Sequence, residues 1–139
     1  MAAGFNTSHL LDLLPSVRGT YTENAPLSKA TWFRVGGPAE VLFKPADETD
    51  LASFLKNKPT GVPITVLGIG SNLLVRDGGI EGVVIRLGKA FASVNCDGLN
   101  ISVGAGASDV TVSSTARNAG ITGLEFLSGI PGTIGGALR

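Results

Sequence analysis

The sequence is poor in the residues that bind metals and form disulfides. Its 139 residues include a single cysteine, Cys96, and a single histidine, His9. One cysteine excludes a disulfide within the chain, and so few thiol and imidazole groups argue against a zinc or iron site. We therefore predict no bound metal, and any redox chemistry would have to come from an organic cofactor.

The sequence also lacks a surplus of either charge and any long apolar run. Eleven basic residues balance eleven acidic residues, so the formal net charge is zero. A neutral chain has no broad field that attracts nucleic acid or an anionic membrane. No apolar run reaches the length of a membrane span, and the N-terminus lacks the layout of a secretory signal. We therefore expect a cytoplasmic protein that binds neither nucleic acid nor membrane.

Hydrophobic patterning predicts several strands. Apolar, β-branched runs predict strands at three places, residues 40–44, 64–67 and 83–87. A further hairpin is predicted around Asp97 and Gly98. The leucines between residues 10 and 14 predict a short helix that serves as a packing arm. The length suits one domain or two small lobes.

Capping signals predict two longer helices. Asp47 is a good N-cap for a helix at 48–57, whose acidic residues would then serve capping rather than catalysis. Ser108 or Asp109 would cap a second helix, which ends at Gly120. Strands and helices therefore alternate along the chain.

Two glycine-rich runs are the clearest functional signal. The first, residues 68–72, follows a predicted strand, and the second, residues 129–136, lies near the C-terminus. Glycine permits positive φ and close approach of the main chain, so successive N–H groups can surround a phosphate. Two such runs indicate a cradle for a long anionic cofactor.

The first run does not fit the familiar phosphate-binding motifs. A P-loop needs a lysine after its last glycine, and a dinucleotide fingerprint needs a third glycine where Leu73 stands. The turn at 77–79 also comes too soon for a helix. What remains is a strand, an anion-binding loop and a strand, with added donors from Ser71 and Asn72. The alternatives are an ordinary tight turn here and a close strand crossing at the second run, and both stay open.

Three segments resemble the UDP-N-acetylenolpyruvoylglucosamine reductase (MurB) family. They are Thr-Trp-Phe-Arg-Val-Gly-Gly-Pro-Ala at 31–39, Gly-Ile-Gly-Ser-Asn-Leu-Leu at 68–74 with Asp-Gly-Gly at 77–79, and Gly-Ile-Pro-Gly-Thr-Ile-Gly-Gly-Ala at 129–137. The segments follow the family's order. Trp32 stands where many relatives carry threonine, a departure that does not touch the cradle.

The resemblance implies an α+β fold, a two-lobed FAD-binding domain of the vanillyl-alcohol oxidase type that is truncated after the second glycine run. It would comprise an N-terminal arm at 1–30 and a first lobe at 31–88, built as strand, helix, strand and hairpin. An incomplete second lobe would follow at 89–139. We therefore expect an N-terminal piece of a longer protein, with a naturally short chain as the alternative.

The resemblance also implies an activity, that of a bacterial cytoplasmic flavoenzyme of peptidoglycan synthesis. Such enzymes serve cell wall biogenesis and hence cell shape and the cell cycle. They bind FAD noncovalently, take electrons from NADPH, and reduce UDP-N-acetylglucosamine enolpyruvate to UDP-N-acetylmuramate. The partner implied for the full-length protein is thus a small UDP-sugar, and the oligomeric state stays open.

The site residues are carried over by motif. The pyrophosphate would be held by Gly68, Ile69, Gly70, Ser71, Asn72 and Leu73. The flavin and its ribityl-phosphate arm would lie along Gly129, Ile130, Pro131, Gly132, Thr133, Gly135, Gly136 and Ala137. Arg34 would lie near the cofactor without an assigned role, or simply brace its loop. The family's catalytic residues fall after residue 139, so none is assigned and the chain alone is predicted to be inactive.

Two alternatives remain beside the reductase. One is an FAD-linked oxidase of the same fold. Several such oxidases tether FAD through a histidine or cysteine, but the positions of His9 and Cys96 argue against a tether here. The other is a truncated, non-catalytic flavin-fold module that binds FAD weakly or not at all. We also expect that valine at Gly70 or Gly132 would block FAD and leave the fold largely intact.

Overall fold

The computed structural model describes the main chain of residues 7–139 and the side chains from Leu10 onward, so the side chain of His9 lies outside it. The chain divides into two compact units, Met1–Leu87 and Gly88–Arg139. The first unit contains α1 (Thr7–Leu13), β1 (Thr20–Pro26), β2 (Pro38–Lys44), α2 (Glu48–Asn57), β3 (Ile64–Leu67) and β4 (Ile80–Arg86). The second contains β5 (Val94–Asp97), β6 (Asn100–Val103), α3 (Asp109–Asn118) and α4 (Ile134–Ala137).

The first unit is built on a four-stranded sheet in the order β1-β2-β4-β3. β1 pairs antiparallel with β2, whereas β4 runs parallel to both β2 and β3. Helix α2 connects β2 to β3, as helices ordinarily connect parallel strands. Residues 68–79 connect β3 to β4 without a helix. The first glycine run therefore lies in a crossover between two neighbouring parallel strands.

The hairpin predicted for the first lobe, with strands at 73–75 and 83–87, is wrong because residues 73–75 form no strand and β4 pairs with β3 instead. Ile64 pairs with Val83 and Leu67 with Arg86, so β3 and β4 run in the same direction. The turn at 77–79 ends the crossover, because Gly79 N donates to Arg76 O at 2.9 Å. The sequence pattern also does not predict β1, whose mostly exposed residues lack an apolar run. This strand falls inside the segment predicted as an arm at 1–30.

Apolar side chains cover both faces of this sheet. On one face, Phe54 of α2 and the partly buried leucines of α1 pack on residues of β2 and β4, namely Val41, Phe43, Val83 and Ile85. On the other face, Val75 of the crossover packs with Leu42 and Val84. Burial on both faces explains the nearly continuous apolar runs of β2 and β4. The packing role predicted for the N-terminal helix is confirmed.

Helix α2 has the predicted bounds and the predicted cap. The Asp47 side chain accepts a hydrogen bond from Asp50 N at 2.9 Å. The buried carboxylate of Asp50 accepts from three main-chain donors, Arg18 N at 2.8 Å and Gly19 N and Ala46 N at 2.9 Å. Burial raises the pKa of Asp50, but these donors outweigh burial and the net pKa is lowered. The prediction that these carboxylates serve structure is confirmed.

The second unit begins with the predicted hairpin and helix. β5 and β6 pair antiparallel around the turn at Gly98, which has φ of +58°. Ser108, not Asp109, is the N-cap of α3 and accepts from Thr111 N at 3.1 Å. The buried core of this unit consists of Ala107, Val112 and Leu127.

Neither a membrane span nor a cluster of metal ligands occurs in the part of the chain that is described. Over residues 7–139, no helix combines the length and the apolar character needed to cross a bilayer. In the same range, no three histidine, cysteine, aspartate or glutamate side chains come together as ligands for a metal ion.

Candidate functional site

The crossover at 68–79 lies beside the irregular segment 30–38, and we call the surface that they share the crossover face. Trp32 N donates to Gly70 O at 3.0 Å, and Gly37 N donates to Arg76 O at 2.9 Å. An ideal Cβ at Gly79 would lie 2.1 Å from Pro38 O. Contacts thus follow the same order along both segments. The two segments run side by side in one direction and brace each other.

Gly70 is required by the fold itself. Its φ is +68°, and an ideal Cβ there would lie 2.4 Å from Ala30 O. Residues with a side chain rarely adopt this φ, and the carbonyl of Ala30 would have to move. The expectation that valine at Gly70 leaves the fold largely intact is therefore wrong. The close approach that this glycine permits is to the protein's own main chain.

The main-chain N–H groups of residues 69–72 stay unpaired. Within residues 7–139, none of them donates to a protein acceptor, although the carbonyl of Gly70 is bonded to Trp32 N. The side chains of Ser71 and Asn72 likewise form no hydrogen bond to any described residue. A loop that is braced through its carbonyl and presents successive free N–H groups fits an anion such as a pyrophosphate.

The side chain of Thr31 adds a polar group that the sequence did not single out. It is buried, and its hydroxyl has no hydrogen-bond partner in the structure. Its Cα would lie 3.0 Å from an ideal Cβ at Gly70, so it lies directly behind the first glycine run. Unsatisfied buried polar groups are rare and mark sites of function or strain. The only signal in the sequence was its place at the start of the first motif.

The surroundings of the loop are apolar and carry two cations. The exposed apolar side chains on the crossover face are Trp32, Phe33, Val35, Ile69 and Leu74. The side chains of Arg34 and Arg76 are also exposed there. Arg34 has a positive φ of +54°, and its N–H donates to Thr31 O at 3.3 Å, so its main chain forms a local turn within the segment 30–38. Apolar groups beside free amides and cations suit a ligand that combines aromatic rings with phosphates.

The second glycine run is attached to the segment before α3. Gly135 N donates to Ala105 O at 2.9 Å, and Ile134 N donates to Ala107 O at 3.0 Å. An ideal Cβ at Gly135 would lie 3.0 Å from Ala105 O. This close crossing of two main-chain segments accounts for Gly135. Gly129 differs, because a Cβ there would meet nothing within 4 Å.

Gly132 faces the carboxyl group of Asp109. An ideal Cβ at Gly132 would lie 2.9 Å from Asp109 Oδ2. Asp109 is fully buried, and neither of its carboxyl oxygens has a hydrogen-bond partner. Burial raises the pKa of this carboxyl group. Nothing in the sequence distinguished this aspartate from an alternative cap. Valine at Gly132 would require this carboxyl group to move, and the expectation that the variant keeps its fold stays a prediction.

Most of the chain matches a known protein family. Residues 39–139 match the family model described as an FAD binding domain. The chain belongs to this family. The matched range begins in β2 and includes both glycine runs, so the FAD binding domain covers the crossover and the whole second unit.

Curated relatives carry the name UDP-N-acetylenolpyruvoylglucosamine reductase. The relative from Parvibaculum lavamentivorans is 56% identical over 139 residues, which are 100% of this chain and 45% of that protein. The relative from Phenylobacterium zucineum is 62% identical over 128 residues, 91% of this chain and 43% of that protein. The chain thus spans less than half the length of these relatives.

A solved structure shows the same fold. The crystal structure of UDP-N-acetylenolpyruvylglucosamine reductase (MurB) from Thermus caldophilus is similar with a TM-score of 0.68 and 37% identity. The similarity covers 89% of this chain and 42% of that chain. The resemblance recognised in the sequence and the α+β FAD-binding fold that it implied are confirmed. The individual cofactor-binding residues stay predictions.

Proposed function

We propose that this chain is the FAD-binding part of an enzyme that reduces UDP-N-acetylglucosamine enolpyruvate to UDP-N-acetylmuramate, with NADPH as the reductant. The name shared by the curated relatives supports this reaction. We further propose a cytoplasmic protein of peptidoglycan synthesis, and hence a role in cell shape and the cell cycle. Its partner would be the small UDP-sugar, not nucleic acid or a membrane.

The residues of the crossover would hold the diphosphate of FAD. The free N–H groups of residues 69–72 would donate to the phosphate oxygens, and Ser71 and Asn72 would add side-chain donors. The second glycine run would lie along the flavin and its ribityl arm, where Gly129 leaves its surroundings open. When bound, FAD supplies the hydride chemistry that no side chain of this protein can supply.

We propose that the flavin is held without a covalent bond. Main-chain donors and glycines make up the predicted site, and none of the residues assigned to it is a cysteine or a histidine. Cys96 lies in β5 with an exposed side chain, and its strand partner is Ile101. Denaturation of the loaded protein should therefore release all of the flavin into solution. Yellow colour that stays with the denatured chain would favour the oxidase alternative.

The unpaired N–H groups of residues 69–72 carry this proposal, and the neighbouring side chains give the sharpest test. Ser71→Ala and Asn72→Ala each remove a donor that has no partner in the described protein, so the fold should stay intact. Loss of a hydrogen bond to a charged group should weaken FAD binding by about tenfold or more. The affinity is measured from the quenching of flavin fluorescence. Asn95→Ala in β5 removes a similar exposed side chain from the hairpin and serves as the control.

Turnover tests the reaction itself. The longer protein should oxidise NADPH only when the enolpyruvyl UDP-sugar and FAD are present. We propose that the 139 residues alone do not turn over, because the family's catalytic residues were not recognised among them. Flavin-dependent turnover by the isolated chain would contradict this, and unchanged FAD affinity in both donor variants would contradict the assignment of the crossover.

A further inference from the structure

We infer that Trp32 is the stacking platform for the adenine base of the bound dinucleotide. The inference rests on the proposed function, because it takes FAD as the ligand and adds a residue outside both glycine runs. Trp32 is the only tryptophan of this chain.

The main chain of Trp32 is fixed to the predicted phosphate loop, whereas its side chain is not packed. Trp32 N donates to Gly70 O at 3.0 Å, so this residue is held directly beside the free N–H groups of residues 69–72. Its side chain nevertheless remains 59% exposed. A large aromatic side chain that is left in solvent on a fixed main chain is typical of a surface that binds a partner.

The neighbouring groups favour a base that is attached to phosphates. Phe33 is 57% exposed, and Arg34 is also exposed, so aromatic and cationic groups follow Trp32 directly in the chain. Bases stack on aromatic side chains, and a guanidinium group can neutralise a phosphate or stack on a ring. The crossover face therefore offers an aromatic ring for the adenine base, and N–H groups and a cation for the phosphates of an adenosine diphosphate.

Reach decides between the two ring systems of FAD. Adenine is joined to its phosphate through one ribose, whereas the flavin ring is separated from its phosphate by an extended ribityl chain. With the diphosphate on residues 69–72, the ring nearest to Trp32 is therefore adenine. The flavin ring would lie farther from Trp32, at the other end of the ribityl chain.

Fluorescence of the single tryptophan gives a direct readout that does not depend on activity. The chain is titrated with ADP, FMN and inorganic pyrophosphate, and emission is corrected for absorption by the added ligand. We expect saturable quenching by ADP and no saturable quenching by FMN or pyrophosphate. Saturable quenching by FMN without quenching by ADP would overturn the inference, as would the absence of ADP binding.

Variants of Trp32 distinguish a loss of base stacking from a nonspecific loss of ligand binding. Trp32→Ala should weaken ADP binding, measured calorimetrically, by about fivefold or more, whereas Trp32→Phe keeps a ring and should retain most of the affinity. Pyrophosphate has no base, so its binding should be the same in all forms. Phe126→Ala removes an exposed aromatic side chain from the second unit and should leave ADP binding unchanged.

The failure of this inference and the failure of the proposed function look different. Equal ADP affinity in the wild type and Trp32→Ala, with FAD binding and turnover intact in the longer protein, would overturn the stacking role alone. A longer protein that neither binds FAD nor reduces the UDP-sugar would overturn the proposed function, whatever residue 32 is. Thermal unfolding of each variant confirms that a lost affinity is measured on folded protein.

Discussion

The missing side chain of Gly132 leaves the space that the carboxyl group of Asp109 needs. An ideal Cβ at Gly132 would come within 2.9 Å of Asp109 Oδ2, and Asp109 N donates to Gly132 O at 3.1 Å. The first turn of α3 and the second glycine run are therefore fitted to each other at one point. Both a main-chain hydrogen bond and the absence of a methyl group maintain this contact.

Gly132→Ala should destabilise the protein because the added methyl group would displace the buried carboxyl group of Asp109. We expect a loss of about 1–3 kcal/mol in the free energy of unfolding, the usual cost of overpacking. Urea unfolding measures this loss. Gly129→Ala is the matched control in the same run, since its Cβ would meet nothing within 4 Å. Equal stabilities of the two variants would contradict the fit.

Asp109 should make stability fall as the pH rises. Burial raises the pKa of its carboxyl group in the folded protein above the value in the unfolded chain, so the folded state binds more protons. The contribution of Asp109 to stability is largest below its pKa in the unfolded chain, about 3.9. It declines as the pH rises through the higher pKa of the folded protein. Asp109→Asn cannot ionise and should lack this decline.

The measurement is the difference in unfolding free energy between Asp109→Asn and the wild type across this pH range. We expect the unfolding free energy of Asp109→Asn to increase relative to that of the wild type as the pH rises. A difference that stays constant with pH would mean that the carboxyl group of Asp109 is not perturbed by burial. Because every other carboxylate is shared by the two proteins, their titrations cancel in this comparison.

Gly70→Ala should be costly for a reason that is independent of any ligand. The φ of +68° and the contact with Ala30 O both oppose a side chain there, and together they should cost about 2 kcal/mol or more. Gly78→Ala in the same crossover meets nothing within 4 Å and should be nearly neutral. Thermal unfolding without FAD compares them. Loss of FAD binding in Gly70→Ala without loss of stability would show that this glycine serves the ligand alone.

Asp50→Ala should be among the most destabilising changes in the first unit. It would leave three main-chain N–H groups, those of Arg18, Gly19 and Ala46, without their acceptor, at a cost of about 3 kcal/mol or more. Glu48→Ala, on the exposed face of the same helix, is the control. Urea unfolding at neutral pH should separate the two variants clearly.

Acidification should remove the stability that the ionised carboxylate of Asp50 provides. Its pKa is lowered in the folded state, so the stability it provides is present above the unfolded pKa and is lost as the pH falls through the folded value. The gap in stability between the wild type and Asp50→Ala should therefore narrow on acidification. A gap that is independent of pH would show that the ionised form of Asp50 is not what the three donors require.

Local signals in the sequence predicted the helices well. Asp47 identified α2 with its observed bounds, and a capping residue identified the start of α3, because an N-cap acts within a few residues of itself. Strand pairing was not predictable in the same way. The parallel pairing of β3 with β4 and the edge strand β1 depend on partners far along the chain, so composition alone indicated a hairpin and no first strand.

Some features of the candidate site were likewise predictable from the sequence, and others were not. The glycine runs were visible in the sequence, but the structure alone shows that Gly70 and Gly132 serve contacts within the protein. Unpaired groups, such as the hydroxyl of Thr31 and the carboxyl of Asp109, were not predictable, because burial without a partner is a property of packing. The sequence therefore gives a candidate site, and packing determines which of its groups have no partner within the protein.

The helix-free crossover from β3 to β4 affects which mutations this protein can tolerate. β4 is an interior strand, held between β2 and β3, and residues 68–79 deliver it to that place. Inserting or deleting a residue between Gly70 and Gly79 would disrupt the matched contacts that these glycines make with the segment 30–38, whereas most surface loops absorb such edits. Substitutions in this segment should therefore be tolerated better than changes in its length.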